Sequence, residues 1–196
     1  MARKFYTSDL HLGMTRLVQT GFRPFESVEK MNERIIANIN ARCTEEDILI
    51  CLGDFCSVGK ERETRSLNLK QKDYVSMIHP TVVNVEGNHD KANGVKSIAT
   101  YMRTTLGRRY TSVSCSHYPS VDLESSGTFR KGDVHLHGHH HQGSKFTIDW
   151  KNRVLNVNVA CDIWKLRPVS EDELMVAIDQ FILKANRQGI SDISKF

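Results

Sequence analysis

The sequence predicts an α/β fold with a mixed sheet, or two layered sheets, and helices outside. Short apolar segments of strand length recur along the chain, and segments with apolar residues at helical spacing lie between and after them. The predicted order is strand, helix, three strands with further helices allowed between them, three more strands and a final helix. This mixture, with its later strands in succession, is typical of layered mixed sheets.

The first half of the chain supplies three strands and one helix. Lys4 to Thr7 forms a short strand, Asp47 to Leu52 a fully buried one, and Thr81 to Val85 a β-branched one. Apolar residues at helical spacing predict a surface helix from about Ser27, a plausible N-cap, to Arg42. Residues 57–72 are polar and basic, so we expect a loop or an exposed helix there.

The second half supplies four strands and a helix. The strands are expected at Tyr110–Ser116, at Val134–His137 up to the break at Gly138, and at Phe146–Asp149 and Arg153–Val159, which form a hairpin. A helix is allowed between the third strand and Tyr110. A Ser-x-x-Glu capping box at Ser170 starts the final amphipathic helix.

Composition bounds the class of protein. A length of 196 residues fits a single domain, 1–196, that can bury a core without disulfides. The net charge of +4 permits nucleic-acid binding but does not argue for it. The five cysteines are scattered, which favours reduced thiols and a cytoplasmic location. Neither a membrane-spanning segment nor a signal peptide is evident, so we expect no membrane partner.

Small polar clusters stand where the predicted strands end. Five of the nine histidines lie within residues 135–141, which is a metal-binding composition. Ligands of layered α/β folds bind where loops converge at strand ends, and glycine lets the backbone turn sharply there. The clusters are Asp9-x-His11, Gly53-Asp54, Gly87-Asn88-His89-Asp90, Ser116-His117 and Gly138-His139-x-His141. Each alone is weak, because a capped turn or a core histidine explains it. Together, in this order, they predict a metal site.

The five clusters resemble the motifs of the calcineurin-like metallophosphoesterases, which are D-x-H, G-D, G-N-H-D/E, a lone H and G-H-x-H, in that order. The match spans residues 9 to 141, most of the chain. The resemblance implies two mixed β-sheets packed face to face and flanked by helices, as in the small members without a cap domain. It also implies an enzyme that hydrolyses phosphate esters.

The resemblance further implies two divalent metal ions. The expected ligands are Asp9, His11 and His141 for one ion, Asn88, His117 and His139 for the other, and Asp54 as the bridge between them. Mn²⁺ is the expected ion in vitro, and Fe, Zn²⁺, Ni²⁺ or Co²⁺ also suit nitrogen and oxygen ligands. Two aspartates and a bridging hydroxide leave a charge of about +1, which favours a phosphate anion.

The implied mechanism is attack on phosphorus by a hydroxide that the two metal ions activate. His89 would contact the phosphate and protonate the leaving oxygen, and Asp90 would orient the His89 imidazole. His135 and His137 are interpreted as supporting or packing residues, and His140 as solvent-exposed. These roles make His89 and Asp90 the candidate catalytic residues.

The substrate class stays open at this stage. The short segment between Tyr118 and Val134 leaves no room for an obvious cap, so the prediction leans to a phosphodiesterase acting on a small phosphate ester or nucleotide. The alternatives are a phosphomonoesterase, a nucleotide or protein phosphatase, a nuclease, and a non-catalytic scaffold of the same fold. Nucleic acid is a weakly supported partner, and the sequence does not indicate an oligomeric state.

Overall fold

The computed structural model describes residues 2–57, 69–123 and 129–189. In these ranges the strands are β1 Lys4–Thr7, β2 Ile48–Cys51, β3 Thr81–Asn84, β4 Tyr101–Leu106, β5 Tyr110–Ser116, β6 Val134–His137, β7 Phe146–Asp149, β8 Val154–Asn158 and β9 Val169–Ser170. The helices are α1 Thr15–Gln19, α2 Val28–Asn40, α3 Gln71–Val75 and α4 Glu171–Arg187. Short 3₁₀ turns cover Ser120–Asp122 and Cys161–Trp164.

The strands form two mixed sheets, as predicted. The first has the order β3-β2-β1-β9, with β1, β2 and β3 parallel and β9 antiparallel to β1. The second has the order β4-β5-β6-β8-β7, with β5, β6 and β8 parallel and an antiparallel strand at each edge. In each sheet, the carboxyl ends of the three parallel strands therefore lie at the same edge.

The two sheets share one hydrophobic core. Tyr6 and Ile50 of the first sheet and Val113 and Leu136 of the second belong to the same buried cluster. Each apolar side chain alternates with one that points to the opposite face, as expected for strands. Helix α4 adds Leu174 and Ile178 to this core, and Phe181 stacks on Phe146 of β7 with ring centroids 4.8 Å apart.

Helix α2 covers the other face of the first sheet. Its buried residues Met31, Ile35 and Ile39 pack in one cluster with Phe5 and Leu49. The Ser27 hydroxyl accepts a hydrogen bond from the Lys30 amide at 3.3 Å, so Ser27 is the N-cap as predicted. The capping box of α4 is also confirmed, with reciprocal Ser170 and Glu173 bonds.

The outer face of the second sheet is polar and yet buried. Ser114 of β5, His135 of β6 and Asn156 of β8 point to this face, and each is 0% exposed. The chain following Tyr118 lies over them: the Ser120 amide donates to Asn156 Oδ1 at 2.9 Å, and the Phe129 ring is 4.9 Å from the His135 ring. Hydrogen bonds thus replace apolar packing there.

The segment between β3 and β5 differs from the sequence expectation. The sequence allows a helix there, whereas residues 101–106 form β4, which pairs antiparallel with β5. The turn between them contains Gly107 at φ +54°, a conformation that glycine adopts without strain. Pairing with β5 therefore decides the structure of this segment. Of the polar stretch 57–72, residues 58–68 lie outside the described ranges, and α3 begins at Gln71.

The parallel strands of both sheets end at one edge of the molecule. The Cys161 amide donates to the Ser8 carbonyl at 3.0 Å, and Ser8 forms a parallel bridge with Ala160, which joins the ends of β1 and β8. The Gly138 amide donates to the His117 carbonyl at 2.9 Å, which joins the ends of β5 and β6. The predicted polar clusters therefore converge. None of the helices in the described ranges is both long and apolar enough to cross a bilayer.

Candidate metal centre

Four of the predicted site residues have left-handed backbone conformations. The φ angles of Asp9, His11, Asp54 and His139 are +56°, +47°, +57° and +67°. Such a conformation costs a non-glycine residue about 1–3 kcal/mol and persists only where its surroundings enforce it. Hydrogen bonds from the Asp9 amide to the Gly53 carbonyl (3.0 Å) and from the His11 amide to the Asp54 carbonyl (2.9 Å) hold these turns. Strained backbone is thus concentrated where the clusters meet.

Two glycines allow the strand ends to approach one another. A Cβ on Gly53, at φ +92°, would lie 2.6 Å from both the Gly87 Cα and the His117 Nδ1. A Cβ on Gly138 would overlap the Ser8 side chain, with the Ser8 Cβ only 2.6 Å away. Neither position has room for a methyl group, because Gly53 lies against the Gly87 backbone and the His117 ring and Gly138 lies against the Ser8 and Asp9 side chains.

Asp9, His11 and His141 form the first group of candidate ligands. The Nε2 atoms of His11 and His141 are 3.2 Å apart, and the Asp9 Oδ1 lies 3.5 Å from His141 Nε2. Their three ligand atoms fall within 4.8 Å of one another. Asp9 is fully buried, and its Oδ2 accepts hydrogen bonds from the Ser8 hydroxyl (2.6 Å) and the His139 amide (3.0 Å).

Asn88, His117 and His139 form the second group. His117 Nε2 lies 2.8 Å from Asn88 Oδ1 and 3.3 Å from His139 Nδ1. The His117 ring is buried at the end of β5, whereas Asn88 is exposed and His139 half-buried. The two groups lie side by side, and Asp9 can also be grouped with Asp54 and His117.

Asp54 lies between the two groups. Its Oδ2 is 3.6 Å from His11 Nε2 and 3.4 Å from His117 Nε2, so one carboxylate oxygen faces both. Its Oδ1 accepts a hydrogen bond from the His89 amide at 2.9 Å. The structure therefore brings all seven side chains predicted as ligands into one site, with Asp54 at its centre.

The donor atoms of the site fit divalent cations. His117 Nδ1 is 2.8 Å from the Leu52 carbonyl and His141 Nδ1 is 2.8 Å from Asp162 Oδ2, and both partners are acceptors, so each Nδ1 donates its proton. When these rings are neutral, each Nε2 presents a lone pair. The lone pair of His117 faces the Asn88 Oδ1 and Asp54 Oδ2 atoms, and the lone pair of His141 faces the Asp9 Oδ1 atom. Facing lone pairs without protons between them repel, and a cation relieves this repulsion.

The protonation preferences of His11, His139 and Asp9 agree with this fit. Burial lowers the pKa of His11 well below its ordinary value, and burial also lowers the pKa of His139, so both rings favour the neutral form that binds metal. Burial raises the pKa of Asp9, despite the nearby imidazoles and the Ser8 hydroxyl. A buried carboxylate with a raised pKa is one that lacks a compensating positive charge, which a cation would supply.

The pair formed by Arg23 and Asp162 supports His141, and the sequence reasoning did not assign it a role. Arg23 is 2% exposed and donates from Nε to Asp162 Oδ1 and from Nη2 to Oδ2, both at 2.8 Å. It also donates to the carbonyls of Leu10 (2.8 Å) and Asp9 (2.6 Å). Burial opposes a charge on His141, but the hydrogen bond to Asp162 and the charge of Asp9 outweigh it and raise the His141 pKa. Asp162 follows a strand, so the criterion that found the other clusters could have found it.

Asp90 holds the loop that carries Asp54. Its Oδ2 accepts from the amides of Asp54 (3.0 Å) and Gly87 (2.8 Å) and from Asn84 Nδ2 (3.1 Å), and its Oδ1 accepts from the Phe55 amide (3.0 Å). Asp90 is completely buried. These contacts fix the backbone around Asp54, whereas the predicted action of Asp90 on the His89 imidazole stays a prediction.

The remaining histidines of the predicted region have distinct surroundings. The His89 ring lies edge-on to the His11 ring, with centroids 5.4 Å apart, so it borders the first ligand group. His135 and His137 are buried beneath the site; the His135 Nε2 is 2.9 Å from the Tyr118 carbonyl and its Nδ1 is 2.8 Å from the Ser114 hydroxyl. His140 is exposed and faces Asp122 at 3.6 Å.

Comparison with known families agrees with this geometry. A model of the calcineurin-like phosphoesterase superfamily domain matches residues 5–164, which include every candidate ligand. The chain belongs to the calcineurin-like phosphoesterase superfamily. Membership supports general phosphoesterase activity, and the superfamily typically binds divalent metals.

Three proteins are similar to this chain over most of its length, one in sequence and two in structure. An uncharacterized protein of Methanocaldococcus jannaschii is 28% identical over 184 residues, which cover 91% of this chain and 93% of the relative. The crystal structure of a protein of unknown function from Aquifex aeolicus has a TM-score of 0.65 at 19% identity, covering 90% of this chain and all of the other. A phosphoesterase from E. coli has a TM-score of 0.41 at 15% identity, covering 80% of this chain and 78% of that one.

Proposed function

We propose that this chain hydrolyses phosphodiesters with the help of two divalent metal ions. The observation that carries the proposal is the position of Asp54, whose Oδ2 lies within 3.6 Å of a histidine nitrogen in each ligand group. Asp9, His11 and His141 would hold one ion, Asn88, His117 and His139 the other, and Asp54 both. Mn²⁺ is the ion we would load in vitro, since the donor set accepts several divalent transition metals.

The bound cations would polarise the phosphoryl oxygens and make water a stronger nucleophile at neutral pH. A residue of the chain would supply the proton that the leaving oxygen needs. In hydrolysis the oxygen of water bonds to phosphorus, the phosphorus–oxygen bond of the ester breaks, and the leaving oxygen takes up a proton. We assign that proton to His89, because its ring borders the first ligand group and its backbone amide binds Asp54.

The preference for diesters rests on access to the site. The segment between β5 and β6 lies on the polar outer face of the second sheet through residues 118–123 and Phe129. These described residues cover the sheet and leave Asn88 exposed beside the second ligand group. An open site accepts a phosphorus atom that carries two substituents, so we favour diesters over monoesters.

The test compares two chromogenic substrates. Purified protein loaded with Mn²⁺ is expected to hydrolyse bis-p-nitrophenyl phosphate with a higher kcat/KM than p-nitrophenyl phosphate, and EDTA is expected to abolish both activities. A higher kcat/KM for the monoester would indicate a phosphomonoesterase. Absence of hydrolysis with Mn²⁺, Zn²⁺, Ni²⁺, Co²⁺ and Fe²⁺ would contradict the proposed enzyme and favour a non-catalytic scaffold.

A further inference from the structure

A cleft of about 350 Å³ opens beside the candidate metal centre. It is lined by Asn88 of the second ligand group and by Tyr118, so the cleft and the metal centre adjoin. The Tyr118 ring connects them, because its centroid lies 5.1 Å from that of His117 and 4.7 Å from that of His139. A group attached to a phosphorus atom at the metal centre can therefore extend into the cleft.

The lining of the cleft suits an uncharged aromatic group. Two aromatic side chains, Tyr101 and Tyr118, and the apolar Leu123 contribute to its walls. Among the described residues that line it, Glu86 carries the only charge, and neither a lysine nor an arginine is present. Its volume falls at the lower end of the range of about 300–1,000 Å³ typical of small-molecule sites. An additional phosphate would meet the Glu86 carboxylate, and none of the described residues that line the cleft would compensate this charge with a cation.

The position of the cleft decides which part of a substrate it would receive. The proposed acid, His89, packs beside His11 of the first ligand group and is not among the described residues that line the cleft. The leaving oxygen must face His89 to take up its proton. The substituent that stays on phosphorus then points towards the second ligand group, where the cleft begins. A monoester lacks such a substituent, so the cleft would serve a diester.

We propose that this cleft binds the nucleoside retained on phosphorus in a nucleoside phosphodiester, an inference that rests on the function proposed above. The flat faces of a nucleobase stack on tyrosine rings, and its N–H groups donate hydrogen bonds to a carboxylate. Tyr101 and Tyr118 would contact the faces of the base, and Glu86 would accept from its N–H edge. A single nucleoside fits this lining better than a nucleic-acid strand, whose further phosphates would meet no lysine or arginine among the described residues that line the cleft.

Two substrates with the same leaving group test the cleft. The p-nitrophenyl ester of thymidine monophosphate and methyl p-nitrophenyl phosphate both release p-nitrophenol, so their chemistry at phosphorus is matched. The kcat/KM of the thymidine ester is expected to be about tenfold or more higher, chiefly through KM, as one base stacked on an aromatic ring implies. Tyr101→Ala is expected to reduce this ratio towards unity, whereas Tyr101→Phe, which keeps the ring, should preserve it. Met77→Ala, at an exposed position outside the cleft, controls for general effects.

A binding measurement separates this inference from the proposed function. Saturation-transfer NMR with thymidine and metal-free protein needs no catalysis, and we expect signal transfer to the base in the wild type and in Tyr101→Phe but not in Tyr101→Ala. If neither substrate is hydrolysed, the proposed function is contradicted, and the NMR measurement alone then tests whether the cleft binds a nucleoside. Equal kcat/KM values for the two esters, or a ratio that Tyr101→Ala leaves unchanged while the variant is folded by circular dichroism, would overturn the nucleoside site.

Discussion

Replacing Asp162 with Asn tests whether a partly buried carboxylate positions the candidate metal ligand His141. Asp162 Oδ2 accepts from both His141 Nδ1 and Arg23 Nη2, and Oδ1 accepts from Arg23 Nε, each at 2.8 Å. Asn has one oxygen for these three donors. Whichever way the amide turns, its NH₂ group faces at least one N–H, so at least one charge-assisted hydrogen bond is lost.

The expected size of the effect follows from these contacts. A hydrogen bond to a charged group contributes about 1.5–3 kcal/mol. Loss of a carboxylate that orients a metal-bound histidine weakens metal affinity about 10–100-fold, or about 1.4–2.7 kcal/mol. Asp162 contacts His141 of the first ligand group and none of the second group. The affinity for one Mn²⁺ equivalent should therefore fall by this factor, and the affinity for the other should change less.

The assay is isothermal titration calorimetry with Mn²⁺ on metal-free protein. Asp122→Asn is the matched control, because Asp122 faces the non-ligand His140 at 3.6 Å and its side chain is 43% exposed. It should leave both Mn²⁺ equivalents unchanged. The reasoning is refuted if Asp162→Asn binds both equivalents as the wild type does while its near-ultraviolet circular dichroism is native. An equal loss of affinity in Asp122→Asn would also refute it.

Three further predictions concern the backbone, the proposed acid and the pH dependence of stability. Gly53→Ala should lower the free energy of unfolding more than Gly94→Ala, because both have positive φ but only the Gly53 Cβ would meet neighbouring atoms, His117 Nδ1 among them at 2.6 Å; urea unfolding of the two variants measures the difference. His89→Ala should reduce kcat about 10²–10⁴-fold with an unchanged Mn²⁺ stoichiometry by calorimetry, and unchanged turnover would remove His89 from its role. Burial lowers the pKa of His135 to about 4, so the unfolded chain binds a proton there that the folded chain does not between about pH 6.5 and pH 4. The contribution of His135 to the free energy of unfolding is complete above pH 6.5 and falls by about 2 kcal/mol from pH 6.5 to pH 5. Urea titrations should show a smaller fall in the free energy of unfolding for His135→Gln than for the wild type. An equal fall would show that another group titrates.

The fold, and the convergence of the seven candidate ligands, could be predicted because their signals are local. Each candidate ligand stands within a few residues of the strand that places it, as Asp54 follows β2 and His117 follows β5. The N-cap of α2 and the capping box of α4 depend on residues three positions apart, and both were found. The positions of these residues at the ends of predicted strands then sufficed to predict that they meet, because parallel strands end at the same edge of a sheet.

The parts that could not be predicted depend on contacts between distant segments. Arg23 has no local signal that indicates its role, because its pairing with Asp162 joins residues 139 positions apart. The strand β4 exists because β5 pairs with it, a contact that outweighs its weak local pattern. The buried polar face of the second sheet, with His135 hydrogen-bonded to the chain after His117, also follows from tertiary packing alone.

Electron paramagnetic resonance of the Mn²⁺-loaded protein tests the shared role of Asp54 most directly. Two ions about 3.5–4 Å apart and joined by one carboxylate are magnetically coupled. At two equivalents of Mn²⁺ we expect two tightly bound ions per chain with the spectrum of a coupled pair, and we expect Asp54→Asn to abolish the coupling. A wild-type chain that binds a single ion, or two ions with independent spectra, would contradict the account.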